Sequence, residues 1–237
     1  MDFKKKYKLV KDSSIVFNER ILYRIMAIKD IVDKKGQILV SAGSLGGYIQ
    51  SEKNLSQTGL SWVADDAKVY DNAIVYENAQ VSGCAEILGA AKVYGNASIT
   101  GEATVQQRAK VYGNSKISDK AEISGFSKVY DNANIHGNAV IFDHATVYGH
   151  AQVYSSSVVY DNAQVYDDAI VADAKVSDSA EVYGHAQVYG SAHVYGESQV
   201  YGYAKVCEYS TVHDCAQVCG NAKISGFDKI NGYHFID

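Results

Sequence analysis

The stretch Ala91-Lys92-Val93-Tyr94-Gly95-Asn96-Ala97-Ser98-Ile99-Thr100-Gly101-Glu102 decides the fold, because it is two copies of a six-residue unit that recurs from Trp62 to the C-terminus. Counted in sixes from Val63, every position to Val171 is Val or Ile; after one residue is lost at Ala172-Asp173-Ala174, the count resumes at Val176 and runs to Ile236. Two residues ahead of each aliphatic stands Ala or Ser, as at Ala67, Ala91, Ser115 and Ala145, with Asp228 and His234 as exceptions. Side chains alternate across a strand, so the small residue and the β-branched one share a side and the residue between them faces out. Gly, Asp and Asn follow, types that tolerate left-handed backbone at a corner.

A longer period lies inside the first. Tyr76, Tyr94, Tyr112, Tyr130, Tyr148 and Tyr166 recur every eighteen residues, and Tyr183 and Tyr201 continue the series after the lost residue. Three hexads therefore make one turn. The expected fold is all-β: a triangular parallel solenoid of about ten coils, on the order of 45–50 Å long at the usual strand spacing, with a thin Val/Ile/Ala core. Losing one residue could turn every later side chain to the wrong face; the tyrosine series resumes, so one corner is tightened and register is kept. Phe227, Tyr233, His234 and Phe235 replace smaller residues near the end, and the expectation is a bulky last coil that plugs the core.

The composition agrees. The chain of 237 residues has no proline, which suits a fold that needs nearly every backbone N–H in a ladder. Four cysteines, Cys84, Cys207, Cys215 and Cys219, are too few for a disulfide framework, and no signal peptide or long apolar run is present, so a reduced, cytoplasmic setting is expected. Residues 1–61 carry 11 Lys+Arg against 6 Asp+Glu, the remainder 11 against 21. The head is basic and the repeat acidic.

Residues 1–61 read as a small β-rich capping head, and 62–237 as the solenoid. Alternation over Ile21-Leu22-Tyr23-Arg24-Ile25-Met26-Ala27-Ile28 marks a strand. Asp33-Lys34-Lys35-Gly36 marks a turn between it and Ile38-Leu39-Val40. Gly46 and Gly47 read as a tight connection with positive φ. Lys4-Lys5-Lys6-Tyr7-Lys8 forms a basic arm, expected to be solvated or to meet a nucleic acid or an acidic protein surface.

The Ala-x-Val unit over residues 62–237 resembles the hexapeptide-repeat parallel β-helix family, and the resemblance implies a left-handed coil. The family places Gly or Asp directly after the aliphatic residue, whereas here Tyr often stands there and glycine comes one later, a variant corner. The head, with Leu45-Gly46-Gly47-Tyr48-Ile49 and Ser51-Glu52-Lys53-Asn54-Leu55-Ser56, is similar to uncharacterised phage and prophage proteins that end in such repeats.

Three classes of function follow. Acyltransferases of this family use a catalytic histidine, a loop leaving the coil and often a terminal helix; the hexads here run without insertion, and flat faces offer no pocket. A metal-dependent enzyme would draw on His150, Asp168 and His185, successive members of one corner column and of types that suit zinc. Cys207, Cys215 and Cys219 fall on three different corners, which makes them free thiols. The third class is a binding protein. The tyrosine column Tyr76, Tyr94, Tyr112, Tyr130, Tyr148, Tyr166, Tyr183 and Tyr201 is an aromatic stripe of the kind enriched in interfaces. The expectation is a non-enzymatic rod without cofactor that engages a protein. The phage-like resemblance implies a host bacterial target and an inhibitor of host defence. A DNA-mimicking acidic rod and a purely structural rod are the alternatives. Nucleic acid on the acidic coil is disfavoured, and flat faces or the last coil could pair two copies.

Overall fold

The computed structural model describes residues 5–237. It contains strands, turns and no helix among the described residues, so none is long and apolar enough to cross a membrane. From residue 62 onward the strands are mostly two residues long, an outward residue followed by a fully buried Val or Ile, as in Lys92–Val93 and Lys110–Val111. Each pairs in parallel with the strand one coil later, and the strands form three faces. Face 1 runs from Lys68–Val69 to Lys229–Ile230, face 2 from Ile74–Val75 to Phe235–Ile236, and face 3 from Trp62–Val63 to Lys223–Ile224. The chain is a triangular parallel β-solenoid of about ten coils, with adjacent strands about 4.8 Å apart.

Each corner is built alike. Tyr94 N–H donates to Val111 carbonyl at 3.0 Å and Asn96 N–H to Gly113 carbonyl at 2.6 Å, so the ladder carries on around the bend. The second residue after each inward aliphatic has positive φ: Gly95 at 70°, Gly113 at 73°, Asp131 at 56° and Glu77 at 58°. The following Asn does not. The left-handed residue thus stands two places after the inward aliphatic, which is why Gly follows Tyr. Where Ser replaces Ala in the buried small column, its hydroxyl donates to the carbonyl three residues back, 2.8 Å for Ser115 and 2.6 Å for Ser127 and Ser157. No polar group is orphaned by the exchange.

Several left-handed residues with longer side chains clasp the next coil. Asp65, Glu77, Asp119 and Asp178 carboxylates accept the N–H of Gly83, Gly95, Gly137 and Gly196 at 2.8–3.0 Å. Backbone N–H groups at this bend, which point away from the ladder, gain a charged acceptor this way.

The contraction keeps register, as expected. Ala172 pairs with Tyr154 before and Tyr189 after, and Val176 with Val159 and Val194. Asp173 holds the left-handed position at φ 53°, directly followed by the inward Ala174. The residue lost is therefore the outward corner residue. The coil above adapts with two left-handed residues in succession, Gly190 at 65° and Ser191 at 71°.

The head joins face 1. Strands β1 (Tyr7–Phe17) and β2 (Arg20–Ala27) form an antiparallel hairpin whose two loop residues, Asn18 and Glu19, have φ 47° and 63°. Two consecutive positive φ values match the twist of a two-residue hairpin. A second hairpin joins β3 (Ile31–Val32) to β4 (Ile38–Val40). The Asp33 turn is therefore present, but the strand before it is Ile31–Val32, since β2 stops at Ala27. Strand β5 (Leu45–Ile49) lies antiparallel to β2 and parallel to Lys68–Val69, which fuses head and coil into one sheet. Leu55 bridges to Val75 and Trp62–Val63 pairs with Gln80–Val81, so residues 45–63 themselves trace a coil. Tyr7, Ile25, Ala27 and Ile31 share one buried cluster with Leu55, Trp62 and Val63.

Three expectations about the ends are corrected. Gly46 and Gly47 are not a positive-φ turn; they lie inside β5. Glycine is required there by close approach: a Cβ on Gly47 would sit 2.5 Å from the Ala67 carbonyl oxygen and 2.8 Å from Val63 Cγ1. The basic arm is only partly solvated: Lys5 and Lys8 are exposed, but Lys6 is drawn inside. Lys6 is buried and donates to the Ser61 carbonyl at 2.7 Å, burial lowering its pKa to about 8; Lys5 pairs with Glu52 at 2.8 Å. Lys4 lies outside the described residues. At the far end Phe227, Tyr233 and Phe235 do not plug the core: they are 78%, 92% and 63% exposed. They occupy outward positions, while the small inward places hold Asp228 and His234, themselves exposed.

Candidate functional site

The tyrosine column stands on the corner that ends face 2. Each ring follows an inward Val and precedes the left-handed residue, and the parallel pairs Val75 to Val93, Val93 to Val111 and Val111 to Val129 hold successive rings one strand apart. From Tyr76 to Tyr201 the seven steps have centroid separations of 4.8–5.0 Å and planes within 12°. Such near-parallel rings at this distance are offset stacks, a preferred arrangement of aromatic quadrupoles. The rings are half-buried: one face of the column lies on the coil and the other meets solvent. The contraction between Tyr166 and Tyr183 leaves the stack unbroken, at 4.8 Å and 2°. Beyond Tyr201 the column place is taken by the buried Cys219.

Burial raises the phenol pKa values from Tyr76 to Tyr183, and at Tyr201 a hydrogen bond with Cys219 is the larger cause. Tyr112 is pushed up to about 12 by burial first and then by the neighbouring phenols Tyr94 and Tyr130. Tyr166 is pushed up by burial and by the Glu181 carboxylate, to which its hydroxyl donates at 3.1 Å. A phenol held neutral by the fold contributes stability that is complete below the ordinary value of 10 and is lost as pH rises through the folded value. Alkaline titration followed by phenolate absorbance is expected to show Tyr112 ionising at about 12, well above the ordinary phenol value of 10, with unfolding in the same window. A single titration step at the ordinary value, with the fold intact, would contradict this stacking.

The column next along the same corner is polar. Asn78, Asn96, Asn114 and Asn132 form an amide ladder, each Nδ2 donating to the next Oδ1 at 2.9–3.2 Å. His150, Asp168 and His185 continue it. Of these, His185 and Asp168 approach, at 3.7 Å, both side chains more than half exposed; His185 stacks on Tyr203 at 4.8 Å. No group of three or more His, Cys, Asp or Glu side chains is close enough to hold a metal ion among the described residues. Cys84, Cys207, Cys215 and Cys219 are all free thiols.

The faces are not uniformly flat. Recesses of about 440 and 540 Å³ flank the contracted corner, the second lying between Tyr154 and Tyr189 where Ala172 leaves out a ring. Another lies beside Lys92, Lys110 and Lys128 on face 2. Sequence reasoning passed over this last one, although the eighteen-residue spacing of three lysines was a readable signal.

No curated protein matches the chain. Residues 67–83, just under one coil, match the family model of the YdcK beta-solenoid repeat, and the other coils repeat the same corner and strand pattern, so the chain is similar to that repeat β-solenoid.

Proposed function

We propose that this chain is a non-enzymatic β-solenoid that binds another protein through the tyrosine stripe. The observation that carries the reading is the stripe's continuity: eight rings in one straight, half-exposed stack from Tyr76 to Tyr201. Such a surface costs little entropy on binding, because the rings are already held by one another and by the coil. Each ring offers apolar area with a polar tip, the combination enriched at interface cores. The head's likeness to phage and prophage proteins supports a bacterial target in the cytoplasm and a role as an accessory protein or inhibitor of host defence. Four free thiols fit a reducing compartment.

Affinity capture with the tagged chain from its native bacterial cells, compared with a Tyr112→Ser/Tyr130→Ser/Tyr148→Ser variant, tests the reading. The intact chain is expected to retain a stoichiometric protein that the variant releases, with thermal unfolding confirming that the variant is folded. Equal retention by both would overturn it.

A further inference from the structure

We propose that the recess on face 2 binds a nucleoside polyphosphate, with Lys92, Lys110 and Lys128 taking the phosphates and Arg108 taking the base. The proposal is independent of the protein-binding reading and uses none of the stripe's tyrosines.

The first observation is a charge conflict. Lys92 pairs in register with Lys110, and Lys110 with Lys128, so three outward ammonium groups rise from adjacent strands. Like charges directly opposite one another are destabilising. Among the described residues none of the three forms an ion pair, nor does Arg108 beside them. A multiply charged anion laid along the strip removes the repulsion that the bare protein carries.

The second observation is a stack with an open end. In the neighbouring column the Arg108 guanidinium lies over the Phe126 ring, 5.3 Å from its centroid, and Phe126 stacks on His144 at 5.0 Å and 2°. The place above Arg108 belongs to Ala90, which lines the recess and has no ring to offer. A flat base seated over Ala90 would cover the free face of the guanidinium and extend the stack by one member. Lys92 stands on the same rung, two residues along, at the start of the phosphate strip.

Size selects the ligand. The recess holds about 460 Å³, within the range of small-molecule sites. Three rungs span about 10 Å at the strand spacing, the reach of a phosphate chain. On either side the same column holds Ile74 and Thr146 and, further on, Glu181. The cationic strip thus stops after three rungs, where a nucleic-acid strand needs a charged track several nucleotides long.

Titration calorimetry of the full chain with ATP and with inorganic tripolyphosphate tests the site at low and moderate salt. Both are expected to bind, ATP more tightly, and both to weaken as salt screens the ammonium groups. Lys110→Gln is expected to weaken both by about ten-fold. Ala90→Phe, which fills the base position, is expected to weaken ATP by about five-fold or more and to leave tripolyphosphate unchanged. All these side chains face outward, so the core is untouched. Lys223→Gln, on the other lysine pair of face 3, is the charge control and should change neither. The proposal is overturned by any of four results: no saturable binding of ATP, an effect of Lys223→Gln equal to that of Lys110→Gln, ATP affinity unmoved by Ala90→Phe, or a single-stranded oligonucleotide that binds more tightly than ATP.

Discussion

Deleting Asn132 is expected to leave the solenoid folded, whereas deleting Asn134, two residues away and identical in composition, is expected to cost about 3–5 kcal/mol. Without Asn132 the chain reads Val129-Tyr130-Asp131-Ala133-Asn134-Ile135, the same arrangement as Val171-Ala172-Asp173-Ala174-Lys175-Val176. Asp131 already has left-handed φ at 56°, and Ala133 remains the small inward residue. The losses are the Asn132 N–H bond to the Gly149 carbonyl, one exposed amide bond from Asn114 and a left-handed turn imposed on His150, the counterpart of Ser191, together about 2–3 kcal/mol. Without Asn134, the residue two places before Ile135 becomes Asn132. Its amide then enters a fully buried column sized for Ala or Ser, and Ala133 turns outward. Denaturant midpoints of the two deletions decide the matter, and equal midpoints would refute the account of the natural contraction.

Gly47→Val is expected to break the junction between head and coil, at a cost of about 3 kcal/mol or more. The added Cβ would meet the Ala67 and Ala64 carbonyl oxygens at 2.5 and 3.0 Å, and backbone has less freedom to give way than a side chain. Because β5 pairs with β2 on one side and with Lys68–Val69 on the other, the damage reaches both. Limited proteolysis is expected to cut the variant within residues 5–61 and spare the later coils. Gly36→Asn serves as control: a Cβ at Gly36 meets nothing within 4 Å, and its φ of 84° is a region that asparagine tolerates. If Gly47→Val proves as mild as Gly36→Asn, the close approach does not govern the junction.

The coil was legible because its determinants are local. Six-residue spacing of Val and Ile, Ala or Ser two places earlier and an eighteen-residue tyrosine period define strand, face and turn without reference to distant contacts. The ends were less legible. Gly46 and Gly47 have the composition of a turn, and only the nearness of Val63 and Ala67 makes glycine necessary inside a strand. Lys6 belongs by sequence to a basic arm, yet its ammonium group is buried against the carbonyls of Thr58, Gly59 and Ser61. The bulk of Phe227, Tyr233 and Phe235 suggests a plug, but alternation along a strand, not bulk, fixes which way a side chain points. The tyrosine stack followed directly from the period. The lysine strip beside it is equally periodic, but Lys92, Lys110 and Lys128 become neighbours only once the coil brings their strands together.

The carboxylate clasps give the rod a polarity. Asp65, Glu77, Asp119 and Asp178 all reach forward to an N–H eighteen residues later in the chain. A coil therefore presents charged acceptors, held in left-handed turns, to the coil that follows. The head-side end of the rod thus supplies the acceptors, and the far side supplies the N–H groups that meet them. At the contracted corner the sense reverses, since Ser156 N–H donates to the Asp173 carboxylate one coil later. There the acceptor belongs to the later coil, so the polarity of the clasps is broken at the one corner that has lost a residue.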